Sequence, residues 1–117
     1  MAKFLALYIG SASASEKDSY SPTPEEEKMW ADGMARWGEW MQEHAGAIVD
    51  AGAPLGKTLR ASLNGITRHE NRNVAYVIVE ADNHQAAADL FKNHPHFAVM
   101  LGDSVEIMEC LPSPGQA

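Results

Sequence analysis

A single cysteine, Cys110, stands among the 117 residues. That excludes an intramolecular disulfide framework and any zinc ribbon or finger. Positive charge is scarce too: nine Lys and Arg face sixteen Asp and Glu, a formal net charge of -7. An acidic chain without a basic run is unsuited to a phosphate backbone, so nucleic acid is not an expected partner. No apolar stretch approaches the ~18 residues that a membrane-spanning helix needs. The amino end, MAKFLALYIGSASAS, has the lysine, apolar run and A-x-A-like close of a secretory signal. It is shorter than one, and a buried strand followed by a serine-rich loop explains the same letters. The expected location is therefore cytoplasmic, with no membrane partner. Phosphate-loop, dinucleotide-glycine, G-x-S-x-G, S-x-x-K and HExxH motifs are also missing. What is present is ordinary globular material, 45% hydrophobic and 21% charged. It excludes wholesale disorder, and the length suits one domain over residues 1–117.

Along the chain, Lys3–Ile9 is a continuous apolar run ended by Gly10, which predicts a strand buried on both faces. Residues 10–23 form a polar loop long enough to be a lid, a binding loop or disordered. Thr23, Pro24 and Glu26 then make a T-x-x-E capping box with proline at the first helical position. Trp30, Met34, Trp37, Met41, Ala45 and Ile48 follow at steps of three and four, an apolar stripe on a long helix. Asp32, Arg36, Glu39 and Glu43 mark its solvated side. Gly52 and Pro54 predict the helix end near residues 50–52.

Lys57–Leu63 alternates in polarity, Asn64-Gly65 is a hairpin turn, and Ile66–Glu70 returns from it. Val74–Ala81 is β-branched and apolar on both faces. Asp82, with Gln85 three residues on, predicts the cap of a second helix that Pro95 stops. Ser104–Leu111 is the last strand, and residues 112–117 read as a flexible tail. This order predicts an α+β fold: a ferredoxin-like split βαβ unit with an antiparallel sheet and two helices on one face. Two helices cover only one side of a sheet whose central strands are apolar on both. A second copy packed sheet to sheet would cover the other, so the chain is expected to be a homodimer.

Four segments, KFLALYIG, MARWGEWMQEHAGAIVDAGAPLG, VAYVIVEADNHQAAADLFKNHPHF and SVEIMEC, resemble the YCII-related family, which includes DGPF-type proteins, within the dimeric α+β barrel superfamily. The resemblance implies a dimer of ferredoxin-like protomers with a cleft between helices and sheet. Some relatives act on small cyclic or aromatic-derived acids by elimination or isomerisation, with a histidine from the first helix and an aspartate before a proline after the second. Carried over by position, the histidine falls at Ala35 or Arg36 and the aspartate at His94. Neither residue type is kept, and the DGPF tetrapeptide is absent.

His94-Pro95-His96 is the most suggestive local feature. Its imidazoles are the candidate catalytic residues, as a general base near neutral pKa; the bland alternative is a helix C-terminus favouring histidine. H-x-H offers only two metal ligands, so no metal and no cofactor are expected. Candidate substrate-binding residues are Tyr8 and Tyr76, buried phenols that need a partner, and Trp37 and Trp40. Trp30 and Trp37 lie on the core stripe and Trp40 at its edge, where an indole borders a cleft. Gly33 and Gly38 suggest close helix–sheet approach or room for a ligand. Arg36 and His44 read as surface-pair and helix-dipole residues, Glu80 as a strand end reaching water, and Cys110 as a small core residue. Three functions stay open. One is a cofactor-independent lyase or isomerase acting on a small organic, aromatic-derived or lactone-like acid. The others are a non-catalytic ligand-binding or regulatory homodimer, and a metal- or haem-using relative of the same fold.

Overall fold

A computed structural model describes residues 1–99 and 102–112. Of the expected tail, all but Pro112 lies outside the described residues. The chain runs β1 (Ala2–Gly10), α1 (Ala14–Asp18), α2 (Pro24–Glu43), β2 (Ile48–Pro54), β3 (Thr58–Ser62), β4 (Gly65–His69), β5 (Asn73–Ala81), α3 (His84–Asp89), a 3-10 turn (Pro95–Ala98) and β6 (Gly102–Glu109). Four strands make one sheet in the order β2-β5-β1-β6, antiparallel throughout. With the β3–β4 hairpin set apart as its own two-stranded sheet, this is the ferredoxin-like α+β arrangement. Among the described residues no helix is long and apolar enough to cross a membrane.

One sheet face carries the core. Phe4, Ala6 and Tyr8 of β1 alternate inward beside Val77, Val79 and Ala81 of β5, and α2 and the α3 region cover them with Trp40, Ala87 and Phe91. Period-two alternation sends the intervening Leu5, Leu7, Ile9, Tyr76 and Ile78 to the opposite face, where they are half-buried. The strands expected to be buried on both faces are thus covered on one. The chain is correspondingly flat, 51 × 44 × 18 Å with a radius of gyration of 16.0 Å. A compact chain of this length would have about 13 Å.

Local boundaries depart from the sequence reading where tertiary pairing overrides helical periodicity. The α2 capping box forms as expected, with Thr23 and Glu26 satisfying each other's backbone N–H groups. The helix ends at Glu43, however, and not near residue 50. Ile48 to Pro54 leave the apolar stripe to pair as an edge strand with β5, with two register shifts. β-branched Ile48 and Val49 suit that edge, and bulges and Pro54 are tolerated there because one side of the strand is unpaired. Gly52 is left-handed, φ 68°, but inside this bulged strand, where a Cβ would overlap the Tyr76 carbonyl. The second helix is capped by Asn83, whose side chain accepts from Ala86 N at 2.8 Å, and not by Asp82. Cys110 is exposed rather than in the core.

Candidate active site

Tyr8 projects from the middle of the core face and is 1% exposed. Its hydroxyl lies 3.1 Å from His94 Nε2. The H-P-H step explains how that histidine is held. Asn93 turns the chain at φ 56°. Pro95 disfavours helical backbone in the residue before it, and His94 is accordingly extended, φ -59° and ψ 142°. In that conformation its ring caps the following 3-10 turn: His96 N donates to His94 Nδ1 at 2.9 Å. A backbone N–H can only donate, so Nδ1 is the lone-pair nitrogen and the proton of the neutral ring sits on Nε2. Nε2–H therefore donates to the Tyr8 oxygen, which leaves the phenol's own hydrogen for another acceptor.

An aromatic box encloses this pair. Ring centroids of Trp37 lie 4.4 Å from Tyr8 and 5.0 Å from His94, and those of Trp40 and Phe91 lie 4.5 and 5.9 Å from His94. His94 is 1% exposed. Burial drives its pKa from the ordinary 6.5 down to about 3, with His96 and His44 adding to the effect. Burial also pushes the Tyr8 phenol up, so it is a hydrogen-bond donor and not a phenolate. His96 shares the box, 5.3 Å from both Tyr8 and Trp37. Its Nε2 bonds to the Ile9 carbonyl at 2.7 Å, at the point where β1 slips out of register with β5 and then β6. Burial lowers the His96 pKa, while the Ile9 and Ser104 carbonyls work in the opposite direction.

A cavity of about 670 Å³ opens in front of Tyr8 and His96. Its walls are Trp30, Met34, Trp37 and Met41 of α2, the bulged stretch 51–55, Val74–Val77 of β5, and Val99. Residues 11–23 close over it: Lys17 of α1, Tyr20 and Pro22 belong to the lining. This segment was expected to be a lid, binding loop or disordered. It contains a capped turn of helix, in which Ser13 and Glu16 form a capping box and Ser13 is buried.

The predicted site residues divide. Tyr8, Trp37, Tyr76 and His96 border the cavity, whereas His94 and Trp40 do not. His94 stands behind Tyr8. Trp40, expected at a cleft edge, is the core tryptophan at 6% exposure, its indole N–H donating to the Leu90 carbonyl at 3.2 Å. Trp30, expected in the core, is 50% exposed and lines the cavity. Alternation places the Tyr76 ring on the face opposite Val77, so this strand meets the cavity mainly through its backbone and neighbours. Gly33 makes the close approach, since a Cβ there would overlap the Val99 side chain. Among the described residues no group of three or more His, Cys, Asp or Glu could hold a metal ion. Lys17 was missed, although the S-x-x-E spelling of Ser13–Glu16 was a legible sign that its segment folds.

No protein-family model and no curated protein matches this chain. A solved structure does: 5-chloro-2-hydroxyhydroquinone dehydrochlorinase from Burkholderia phenoliruptrix AC1100, in complex with 2,5-dihydroxybenzoquinone. The TM-score is 0.55 at 15% identity, covering 98% of this chain and 99% of the other. The likeness shows a shared fold. It extends over nearly the whole of both chains, so the 11–23 segment and the hairpin fall within it.

Proposed function

We propose that this chain is a YCII-related, cytoplasmic homodimer that binds and processes a small aromatic-derived or lactone-like organic acid in the helix–sheet cavity, as a cofactor-independent lyase or isomerase. The observation that carries this reading is the hydrogen-bonded pair of Tyr8, which borders the cavity, and His94 behind it. A phenol fixed by a neutral imidazole has one hydrogen left to give, and Tyr8 borders an apolar, aromatic-walled space of ligand size. There the hydroxyl donates to a carbonyl or enolate oxygen of the ligand. As Tyr8 yields its proton, the Nε2–H of His94 stabilises the oxygen that acquires charge. His94 is thus a positioning residue. The proton that the ligand loses goes to Nδ1 of His96 on the cavity wall, since its Nε2–H is engaged by the Ile9 carbonyl. The dehydrochlorinase of the same fold holds a dihydroxybenzoquinone, which supports a planar, oxygen-bearing ring as the occupant. Dimerisation through the open sheet face fits the flatness of the protomer and the half-buried Leu5, Leu7 and Ile9.

The second reading, a non-catalytic ligand-binding dimer, is favoured by one observation: both nitrogens of His94 are already engaged. One experiment separates the two. A thermal-shift screen of small aromatic and lactone acids selects a ligand, and turnover of that ligand is then followed for wild type and Tyr8→Phe. The enzyme reading expects product formation that falls about 100-fold or more in Tyr8→Phe, in the range of one lost acid or oxyanion donor. Stabilisation without turnover in the wild type would leave the binding reading in its place.

A further inference from the structure

We propose that Lys17 of α1 selects the ligand: its ammonium takes the carboxylate of the ring acid, and the short helix that carries it closes the cavity over that end. This inference rests on the reading that the cavity holds a small organic acid. Among the described residues Lys17 is the one lysine or arginine in the cavity lining, and it is half-buried. Among the described residues no ion pair occupies it. The acids near it in the chain and in space are committed elsewhere or lie in solvent. Glu16 closes the α1 capping box with Ser13. Asp18 pairs with Lys57 at 2.9 Å. Glu26 accepts from the Tyr20 hydroxyl and from Thr23 N, Glu70 is exposed, and Asp103, which like Lys17 acts on His96, is exposed and accepts from the Ser104 hydroxyl. Glu27, which also borders the cavity, is exposed.

A partly desolvated ammonium without a counterion is costly, and an anion arriving from the cavity removes that cost. Burial lowers the Lys17 pKa, and its charge in turn is felt at His96, which sits on the same wall. The other lining groups are apolar, aromatic or uncharged, Glu27 and His96 aside, so a single cationic end opposes an apolar interior. That asymmetry suits a ring bearing one carboxylate. The helix is anchored by its own residues, through buried Ser13 at one end and the Asp18–Lys57 pair at the other. Lys17 is thereby presented without support from a ligand.

The test titrates wild type, Lys17→Met and Lys17→Arg with 4-hydroxybenzoate and with 4-hydroxybenzamide. Quenching of Trp30 and Trp37 reports binding, and calorimetry checks the constants. Wild type is expected to prefer the acid by about 10-fold or more, the usual size of a charge-assisted hydrogen bond. Lys17→Met should erase that preference while holding the amide within about twofold, and Lys17→Arg should keep it. Equal binding of acid and amide by wild type, or a preference that survives in Lys17→Met, would overturn the role of Lys17 and leave the cavity reading standing. Binding of neither probe to wild type would overturn both.

Discussion

The floor and the lid of the cavity are built by opposite means. Tyr8, Trp37 and His96 of the floor, and Trp40, Phe91 and His94 packed behind them, come from remote parts of the chain, and only the packed fold brings them together. No buried side-chain nitrogen or oxygen among the described residues lacks a hydrogen-bond partner. The 11–23 segment, in contrast, is held by two capping boxes and the Tyr20–Glu26 hydrogen bond, all close in sequence, and by one exposed ion pair to Lys57 of the hairpin side. Exposed pairs of that kind contribute little, with a median of ~0–1 kcal/mol. The floor is therefore rigid and global in its stability, whereas the lid can open locally without unfolding the sheet. A site that must fix a phenol and still admit a ligand needs both properties.

Trp40→Ala is the largest perturbation that tests this contrast. It removes the indole between Phe91 and His94, and should cost ~3–5 kcal/mol in urea unfolding. A loss under ~1 kcal/mol would mean that the floor is not part of the cooperative core. Ser13→Ala should do much less globally, ~1 kcal/mol or below, because it removes one cap. Its effect should appear instead in hydrogen exchange, as lost protection confined to amides 14–18. Protection lost equally in β1 and β5 would show that lid and floor form one unit.

Much of the frame was legible from periodicity. The continuous apolar runs gave β1 and β5, the T-x-x-E box gave the start of α2, and Asn64-Gly65 gave the hairpin. These signals are local, and local chemistry decides them. The end of α2 was not legible. Ala45 and Ile48 continue the helical stripe as spelled, and only the unpaired edge of β5 turns Ile48–Pro54 into a strand. The tryptophans show the same limit. A stripe at steps of three and four places Trp30, Trp37 and Trp40 on roughly one side of α2 but does not say where the sheet stops. Trp30 passes beyond the covered region and becomes a cavity wall, while Trp40 reaches under α3. His94-Pro95-His96 was singled out as the most suggestive local feature. That one imidazole would cap a turn and the other lean on a bulged strand depends on three-dimensional partners no spacing encodes.

The account turns on His94 remaining neutral with its proton on Nε2, because that tautomer leaves the Tyr8 hydrogen free for a ligand. Nitrogen NMR of the histidine rings between pH 7.5 and 5 tests this directly. His94 should show an unprotonated Nδ1 throughout and no titration near its ordinary 6.5, since burial lowers its pKa to about 3. The unfolded chain takes up that proton near pH 6.5 and the folded one does not, so stability should fall with pH below 6.5, by up to ~1.4 kcal/mol per unit from this group. A His94 ring protonated on Nδ1, or one that titrates near 6.5, would contradict the arrangement on which the proposed chemistry depends.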